Sequence, residues 1–388
     1  MMRIQSYLKS AQSILGVYDG SSPFAGWLKI FFAANKKYGS KDRKQISQLC
    51  YNYFRLGPAF ENYAVEEKLL IGQFLTSNTS NIFLEQEKCE WNAITHQSTS
   101  DKFVFLKKPD QWNQIFPWIN ELSKEIDSKA FVLSHLTQPH LYLRLRPGKK
   151  ELVNLKLRNA RILFEEMEET CLQLPNTTKL DNLITADEDA VVQDLNSQKV
   201  LQPLIEYLSD YTKKINVWDC CAASGGKSIL VYDTIPNISL TVSDVRKSIL
   251  FNLKKRFASA GIKNYKSFVA DLSHSPFTVH HSPFDLIICD APCSGSGTWS
   301  RTPEQLSFFR KEKISYYADL QKNIALNANK SLKQGGYFLY ITCSVFQKEN
   351  EEVVNYLQEN TSLQLISMKY FKGYDMQADT MFAALFTL

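Results

Sequence analysis

Asp290, Pro292 and Cys293 follow a run of β-forming residues, Leu286 to Cys289, and Gly295 and Gly297 come directly after them. A carboxyl group and a thiol at the end of a buried strand are the groups that acid catalysis and covalent addition need. Taken alone, D-x-P-C reads as well as a strand cap beside a half-buried structural thiol, since free cysteine is a common core residue. A second strand-like run, GGYFLYITCSV, ends in Thr342, Cys343 and Ser344. Open α/β sheets bind ligands beyond the carboxyl ends of their strands, so two such strands that each deliver a cysteine there point to one shared site.

The glycine loop WDCCAASGGKS narrows the ligand. Gly225 and Gly226 lie between a strand and a helix, where a backbone turn can cradle a nucleotide-like molecule. The dinucleotide fingerprint G-x-G-x-x-G is absent, and a Walker loop fails because Cys221 stands where its first glycine belongs. What remains suits a ligand without phosphates. Asp244, at the next strand end, is placed to accept from a ribose diol, and Asp271, at the third, to reach an adenine edge or amine. One aspartate at a strand end reads as a helix N-cap. Three at successive strand ends fit S-adenosyl-L-methionine best.

The elements that must position these residues fall into three stretches. Residues 1–130 read as a helical domain: Ile4, Leu8, Ala11 and Leu15 keep helical spacing, Pro23 opens a second helix, and Ser40 caps a third. That third helix carries Ile46, Leu49 and Tyr53 on one face, with Lys41, Arg43, Lys44 and Arg55 near the other or at its ends. The stretch from Thr76 to Asp101 is polar and poorly periodic, so its order is in question. Residues 131–200 form a small α+β unit. In HLYLRLR, Leu141, Leu143 and Leu145 alternate with Tyr142, Arg144 and Arg146, which predicts a half-buried strand with an aromatic and basic outer face. A helix from Glu151 to Glu169 and short strands near Leu183 and at Ala190 to Val192 complete the unit. Residues 201–388 alternate strand and helix, with strands at Ile215 to Cys220, Ser239 to Ser243, Ser267 to Ala270, Phe284 to Cys289 and Tyr337 to Thr342. Two further β-rich runs close the chain. The pattern predicts a doubly wound α/β sheet of the methyltransferase variety, with the last strand inserted antiparallel.

Composition sets the outer limits. The 388 residues exceed what one hydrophobic core organises, and 44% hydrophobic with 22% charged residues is ordinary globular protein. Apolar runs fall short of the roughly 18 residues of a membrane span, which predicts a cytoplasmic protein without a membrane partner. The eight cysteines form no C-x-x-C pair and no metal-ligand rhythm, so the expectation is reduced thiols and no metal. A formal net charge of +5 permits an RNA partner without requiring one.

These motifs resemble the RNA 5-methylcytosine methyltransferases of the RsmB/Nop/Sun family. CAASGGK, residues 221–227, is similar to its cofactor loop, DAPCSGSG (290–297) to its fourth motif and ITCSVFQKENEEVV (341–354) to its sixth. AVVQDLNSQ resembles the entry into its catalytic domain, HLYLRLRPGK its RNA-recognition-like unit, and GSKDRKQISQLCYNYFR, more weakly, its NusB-like helical domain. Ser224 stands where the family usually has proline, and QADTMFAALF is a degenerate form of its closing motif.

The resemblance implies a Rossmann-like class I methyltransferase domain with a mostly parallel seven-stranded sheet, preceded by a small α+β RNA-recognition-like unit and an all-α NusB-like domain. It implies cofactor contacts from Cys221, Ala222, Ala223, Ser224, Gly225, Gly226, Lys227, Asp244, Asp271 and Asp290. It further implies a monomeric enzyme acting on RNA, with small-subunit ribosomal RNA favoured over transfer RNA. Cytosine carbon 5 is a poor nucleophile, and a thiolate added at carbon 6 makes it an enamine that attacks a sulfonium methyl. Strand position alone leaves the order of the two cysteines open. By resemblance Cys343 is the nucleophile, Cys293 assists product release, and Asp290 hydrogen-bonds the cytosine edge as the thiolate adds. The rival reading is an RNA-binding assembly or antitermination factor with a vestigial catalytic half.

Overall fold

The computed structural model describes residues 2–208, 213–274 and 283–388. The chain divides into two compact units, one of Met1–Leu122, Asp127–Gln138 and Thr298–Lys311, the other of Ser123–Ile126, Pro139–Gly297 and Glu312–Leu388. Among the described residues no helix is long and apolar enough to cross a membrane.

The first unit is helical, with its longest helices at Met2–Val17, Phe24–Ala34, Ser40–Phe54 and Val65–Thr76. Leu8, Ala11, Phe24, Leu28, Ile46 and Leu49 form its core, as their spacing predicts. The polar stretch beyond Thr76 is ordered into short helices at Ile82–Glu87, Cys89–Ala93 and Thr99–Phe105. Asn81 and Ser98 cap two of them by accepting from Leu84 N and Asp101 N. Such caps satisfy orphan amide groups without any apolar period for a sequence pattern to show. Ser40 is the first helical residue rather than the cap, and Asp42 instead accepts from Gly39 N at 3.0 Å. Arg55, expected near the basic face, is 2% exposed. Its guanidinium donates to the carbonyls of His135 and Thr137 at 2.6 and 3.2 Å. Thr298–Lys311 belongs to this unit although it follows the D-x-P-C loop directly: Glu304 accepts from Phe24 N at 3.1 Å, and the Phe308 ring lies 5.2 Å from that of Tyr18.

The second unit holds two sheets. The smaller has strands β1 (Leu141–Leu145), β2 (Glu165–Glu168), β3 (Cys171–Leu174) and β4 (Ala190–Val192) in the order β2-β3-β1-β4. The helix expected to reach Glu169 spans Lys150–Asn159 only. Arg161 then takes φ 54°, a left-handed conformation that ends the helix, and the remaining residues become edge strand β2. No strand forms at Leu183, and β3, which pairs with β1, was not predicted.

The face of β1 that carries Tyr142, Arg144 and Arg146 is buried rather than presented outward, at 1%, 3% and 9% exposure. Tyr142 Oη donates to Met376 O at 2.6 Å, while Arg144 and Arg146 both pair with Asp233 on the helix Gly226–Thr234 beside the larger sheet. The alternating pattern is real, but a partner distant in sequence covers its polar side. Removing one member of a buried ionic cluster leaves uncompensated charge, so Asp233→Ala is expected to lower stability by about 4 kcal/mol. Urea unfolding measures this directly, and a loss below about 1 kcal/mol would mean the cluster is solvated like a surface pair.

The larger sheet contains β5 (Ile215–Asp219), β6 (Ile238–Asp244), β7 (Tyr265–Val269), β8 (Phe284–Asp290), β9 (Leu332–Thr342), β10 (Gln364–Phe371) and β11 (Met381–Thr387). Their order is β10-β11-β9-β8-β5-β6-β7. The five strands β5 to β9 run parallel, and β11 inserts antiparallel between β9 and β10. Val217, Leu286, Ile288, Leu339 and Ile341 bury one face, while Trp218, Ile287, Phe338 and Tyr340 bury the other. Burial on both sides explains why these strands read as continuous apolar runs.

Candidate active site

β8 and β9 are adjacent and parallel, with Asp290 opposite Ile341. Their ends therefore deliver Cys293 and Cys343 to one place, and the two Sγ atoms lie 3.3 Å apart. The loops that carry them are tied to each other. Gly297 N donates to Cys343 O at 2.9 Å, and Thr380 N donates to Gly297 O at 2.9 Å. A β-carbon at position 297 would fall 2.1 Å from Thr380 O, so only glycine lets the loop lie this close to the end of β9.

A fully buried carboxylate, Glu349, joins the same loops. Its Oε2 accepts from Ser294 N at 2.8 Å and from Gln321 Nε2 at 2.9 Å, and its Oε1 from Ser344 Oγ at 2.8 Å. Each cysteine thus has a Glu349 ligand as its next residue. Burial pushes this carboxyl above the usual range, opposed by those hydrogen bonds. Glu349 has no role in the sequence reading, because it sits in the acidic run ENEE and nothing local marks which acid is buried. Glu349→Ala strands the Ser294 amide and the Ser344 hydroxyl, an expected loss of about 3 kcal/mol with a parallel fall in turnover. Comparing thermal melts with kcat tests it, and wild-type values for both would remove Glu349 from the site's architecture.

Beside the thiols, Lys227 Nζ pairs with Asp290 Oδ2 at 2.9 Å, with both side chains largely buried. Burial alone would lower the lysine, but the Asp290 carboxylate more than offsets this, and the group stays cationic while facing Cys343. Cys293 is pushed well above the usual thiol range, first by its hydrogen bond with Cys343 and then by burial.

A cavity of about 540 Å³ opens next to these groups, lined among others by Cys221, Ala223, Asp244, Asp271, Asp290 and Cys293. Six of the residues expected around a cofactor or a reacting base therefore share one space. Ala222, Ser224, Gly225, Gly226 and Lys227 do not line it and shape the loop behind it instead. Gly225 takes φ 89°, and a β-carbon there would meet Phe257 at 2.7 Å. Ala222 N donates to Ser243 O at 2.9 Å, and Ala223 N to Asp244 Oδ2 at 3.0 Å. Ser224 is held by Arg256 Nη1, which donates to its carbonyl and its hydroxyl at 3.2 and 3.0 Å. The same guanidinium pairs with Asp187 of the small α+β unit at 2.7 Å. Arg246, 60% exposed at its side chain, covers Asp244 and donates to Oδ1 at 3.1 Å. Asp271 is half exposed and accepts from Ser273 N at 2.9 Å.

Asp219, at the end of β5, lies beneath the loop. Its Oδ2 accepts from Ser228 Oγ at 2.5 Å, whereas Oδ1 has no hydrogen-bond partner among the described residues. Burial raises this carboxyl from 3.8 to about 7. A carboxyl raised in the folded state binds a proton that the unfolded chain has lost, so its stabilisation is full below about pH 4 and is lost as pH rises through about 7. Asp219→Asn is therefore expected to gain stability relative to the parent between those limits. Denaturant unfolding at pH 4, 6 and 8 measures the change, and parallel profiles would exclude a buried titration at Asp219.

The antiparallel strand inserted beside β9, with strand-end acids around one cavity, defines a Rossmann-like methyltransferase fold. The crystal structure of PH0851 shares that fold at TM-score 0.71 and 18% identity, covering 100% of this chain and 98% of that one. Residues 207–385 match the family described as 16S rRNA methyltransferase RsmB/F. Ribosomal RNA small subunit methyltransferase B of Xanthomonas campestris pv. campestris is 30% identical over 178 residues, 46% of this chain and 40% of that protein. The tRNA (cytosine(49)-C(5))-methyltransferase of Pyrococcus abyssi is 32% identical over 154 residues, 39% of this chain and 49% of that protein. The chain thus spans less than half the length of either relative, and the likeness to that family lies in residues 207–385, under half of the chain.

Proposed function

We propose that this chain is an RNA (cytosine-5)-methyltransferase that uses S-adenosylmethionine and acts through a covalent cysteine adduct, with small-subunit ribosomal RNA as substrate. The observation that carries this reading is the convergence of two thiols, 3.3 Å apart, beside a lysine–aspartate pair at a nucleoside-sized cavity. The cavity suits the donor: Asp244 can hold a ribose diol once Arg246 swings away, Asp271 lies at the adenine end, and the backbone of Cys221 and Ala223 forms the wall. When bound, the donor supplies an electrophilic methyl group.

One feature of the pair supports the order of the cysteines that the motif resemblance implies. The Cys343 contact, 3.3 Å away, and burial push the Cys293 thiol well above the usual range, which makes it the poorer nucleophile of the two and leaves Cys343 for the addition. The Cys343 thiolate adds to cytosine carbon 6. Asp290 binds the base edge, and the Lys227 ammonium on its Oδ2 supplies through it the proton that ring nitrogen 3 takes as negative charge develops there. Carbon 5 then takes the methyl group, its proton passes to water, the C5–C6 double bond re-forms as the sulfur–carbon bond breaks with Cys293 assisting release, and ring nitrogen 3 returns its proton through Asp290 to Lys227. A base stacked in a helix cannot reach these sulfurs, so the target cytosine is unpaired or flipped out.

The test is to incubate the purified chain with methyl-labelled S-adenosylmethionine and either small-subunit ribosomal RNA or transfer RNA, then digest to nucleosides. Labelled 5-methylcytidine from the ribosomal RNA is expected. Label only in transfer RNA would move the substrate to the class named for the Pyrococcus relative, and label in an amino-methylated nucleoside, or none, would overturn the reaction.

A further inference from the structure

Three cysteines outside the catalytic pair also converge. Cys220 and Cys221 follow β5 and Cys289 lies in β8, strands hydrogen-bonded in register, with Cys220 N donating to Ile288 O at 3.0 Å. All three Sγ atoms lie within 4.8 Å of one another. Cys220 and Cys289 are 2% and 0% exposed, while Cys221 is half-buried, and Cys220 and Cys221 line the cavity described above. The trio is thus closed on its strand side and open toward the cavity. The proposed methyl transfer uses none of the three sulfurs.

Three soft donors at mutual contact suit a soft, three-coordinate ion. Structural zinc takes four protein ligands, and zinc held by three needs a water or substrate as its fourth. Among the described residues no fourth cysteine, histidine or carboxylate joins the group. The nearby Asp290 carboxylate is already paired with Lys227. Thiolate sulfur selects Cu(I) among available soft ions. We propose that Cys220, Cys221 and Cys289 form a trigonal thiolate site for Cu(I) that opens on the cofactor cavity, so that metal and methyl donor exclude each other. Binding replaces S–H bonds by Cu–S bonds and releases the protons to solvent, with no change of oxidation state. The exclusion rests on the proposed cofactor, whereas the metal site does not.

Cys293 and Cys343 form a second dithiol that could take the ion with two sulfurs, so the experiment starts from the full chain with Cys293→Ala and Cys343→Ala. Reduced, anaerobic protein is titrated with Cu(I) against a chromophoric chelator, and X-ray absorption counts the sulfur neighbours. One tightly held equivalent with three sulfurs is expected, and it should be lost in the same background when Cys289→Ala is added. Cys220→Ser serves as the second variant should Cys289→Ala melt early. Retention of the tight equivalent in both, two-sulfur coordination, or no tight copper in the starting background overturns the site. Adding S-adenosylmethionine should weaken copper binding by the same factor that copper weakens the donor. Independent binding of the two would overturn the exclusion alone, and failure of the donor to bind copper-free protein would count against the proposed cofactor rather than the metal site.

Discussion

Under the proposed reaction, Cys343→Ala is expected to abolish methyl transfer while the donor still binds. The variant removes the proposed nucleophile, and Cys293, whose thiol is pushed well above the usual range by its contact with Cys343 and by burial in the parent, is a poor replacement. Loss of a covalent nucleophile from a cooperating set costs roughly 10^4-fold or more in turnover. The cavity wall is formed by other residues, Cys221, Ala223, Asp244 and Asp271 among them, so donor affinity should stay within about threefold of the parent, under 1 kcal/mol. Single-turnover transfer and equilibrium dialysis separate the two quantities. Residual turnover within tenfold of the parent would show that carbon 5 is activated without this thiol.

Cys293→Ala has the opposite signature. Addition and transfer proceed through Cys343, but release slows, and the methylated RNA stays bonded to the protein. A band that survives denaturing electrophoresis, requires the methyl donor and disappears in the Cys293→Ala, Cys343→Ala double variant is the expected result. A band that persists in the double variant would place the bond on another residue. The thiols of Cys50 and Cys171 are buried in other parts of the chain, so Cys221, half-buried at the cavity, is the first alternative for such a bond.

How far the sequence exposed this arrangement depended on whether an element's partners were local. β8 and β9 were legible because a strand covered on both faces is an apolar run whatever covers it, and parallel neighbours must end on the same side. From that, the meeting of Cys293 and Cys343 follows. The sequence was silent where the partner is remote. Arg144 and Arg146 read as a solvent face because the carboxylate that buries them, Asp233, lies nearly ninety positions away in the chain. Glu349 was indistinguishable from its acidic neighbours until Ser294 and Ser344 were seen on its two oxygens. Cys220, Cys221 and Cys289 show no ligand spacing because adjacency between β5 and β8, not a short motif, assembles them. The stretch after Thr76 was misjudged because caps, rather than an apolar stripe, organise it.

The single guanidinium at position 256 has a wider effect than its two contacts suggest. The turn at Ser224 borrows rigidity from outside, clamped by a residue that also grips Asp187. Stiffness obtained that way is conditional. It depends on an intact neighbour and weakens as ionic strength rises, so a change at Asp187 would be felt at the turn that borders the cavity.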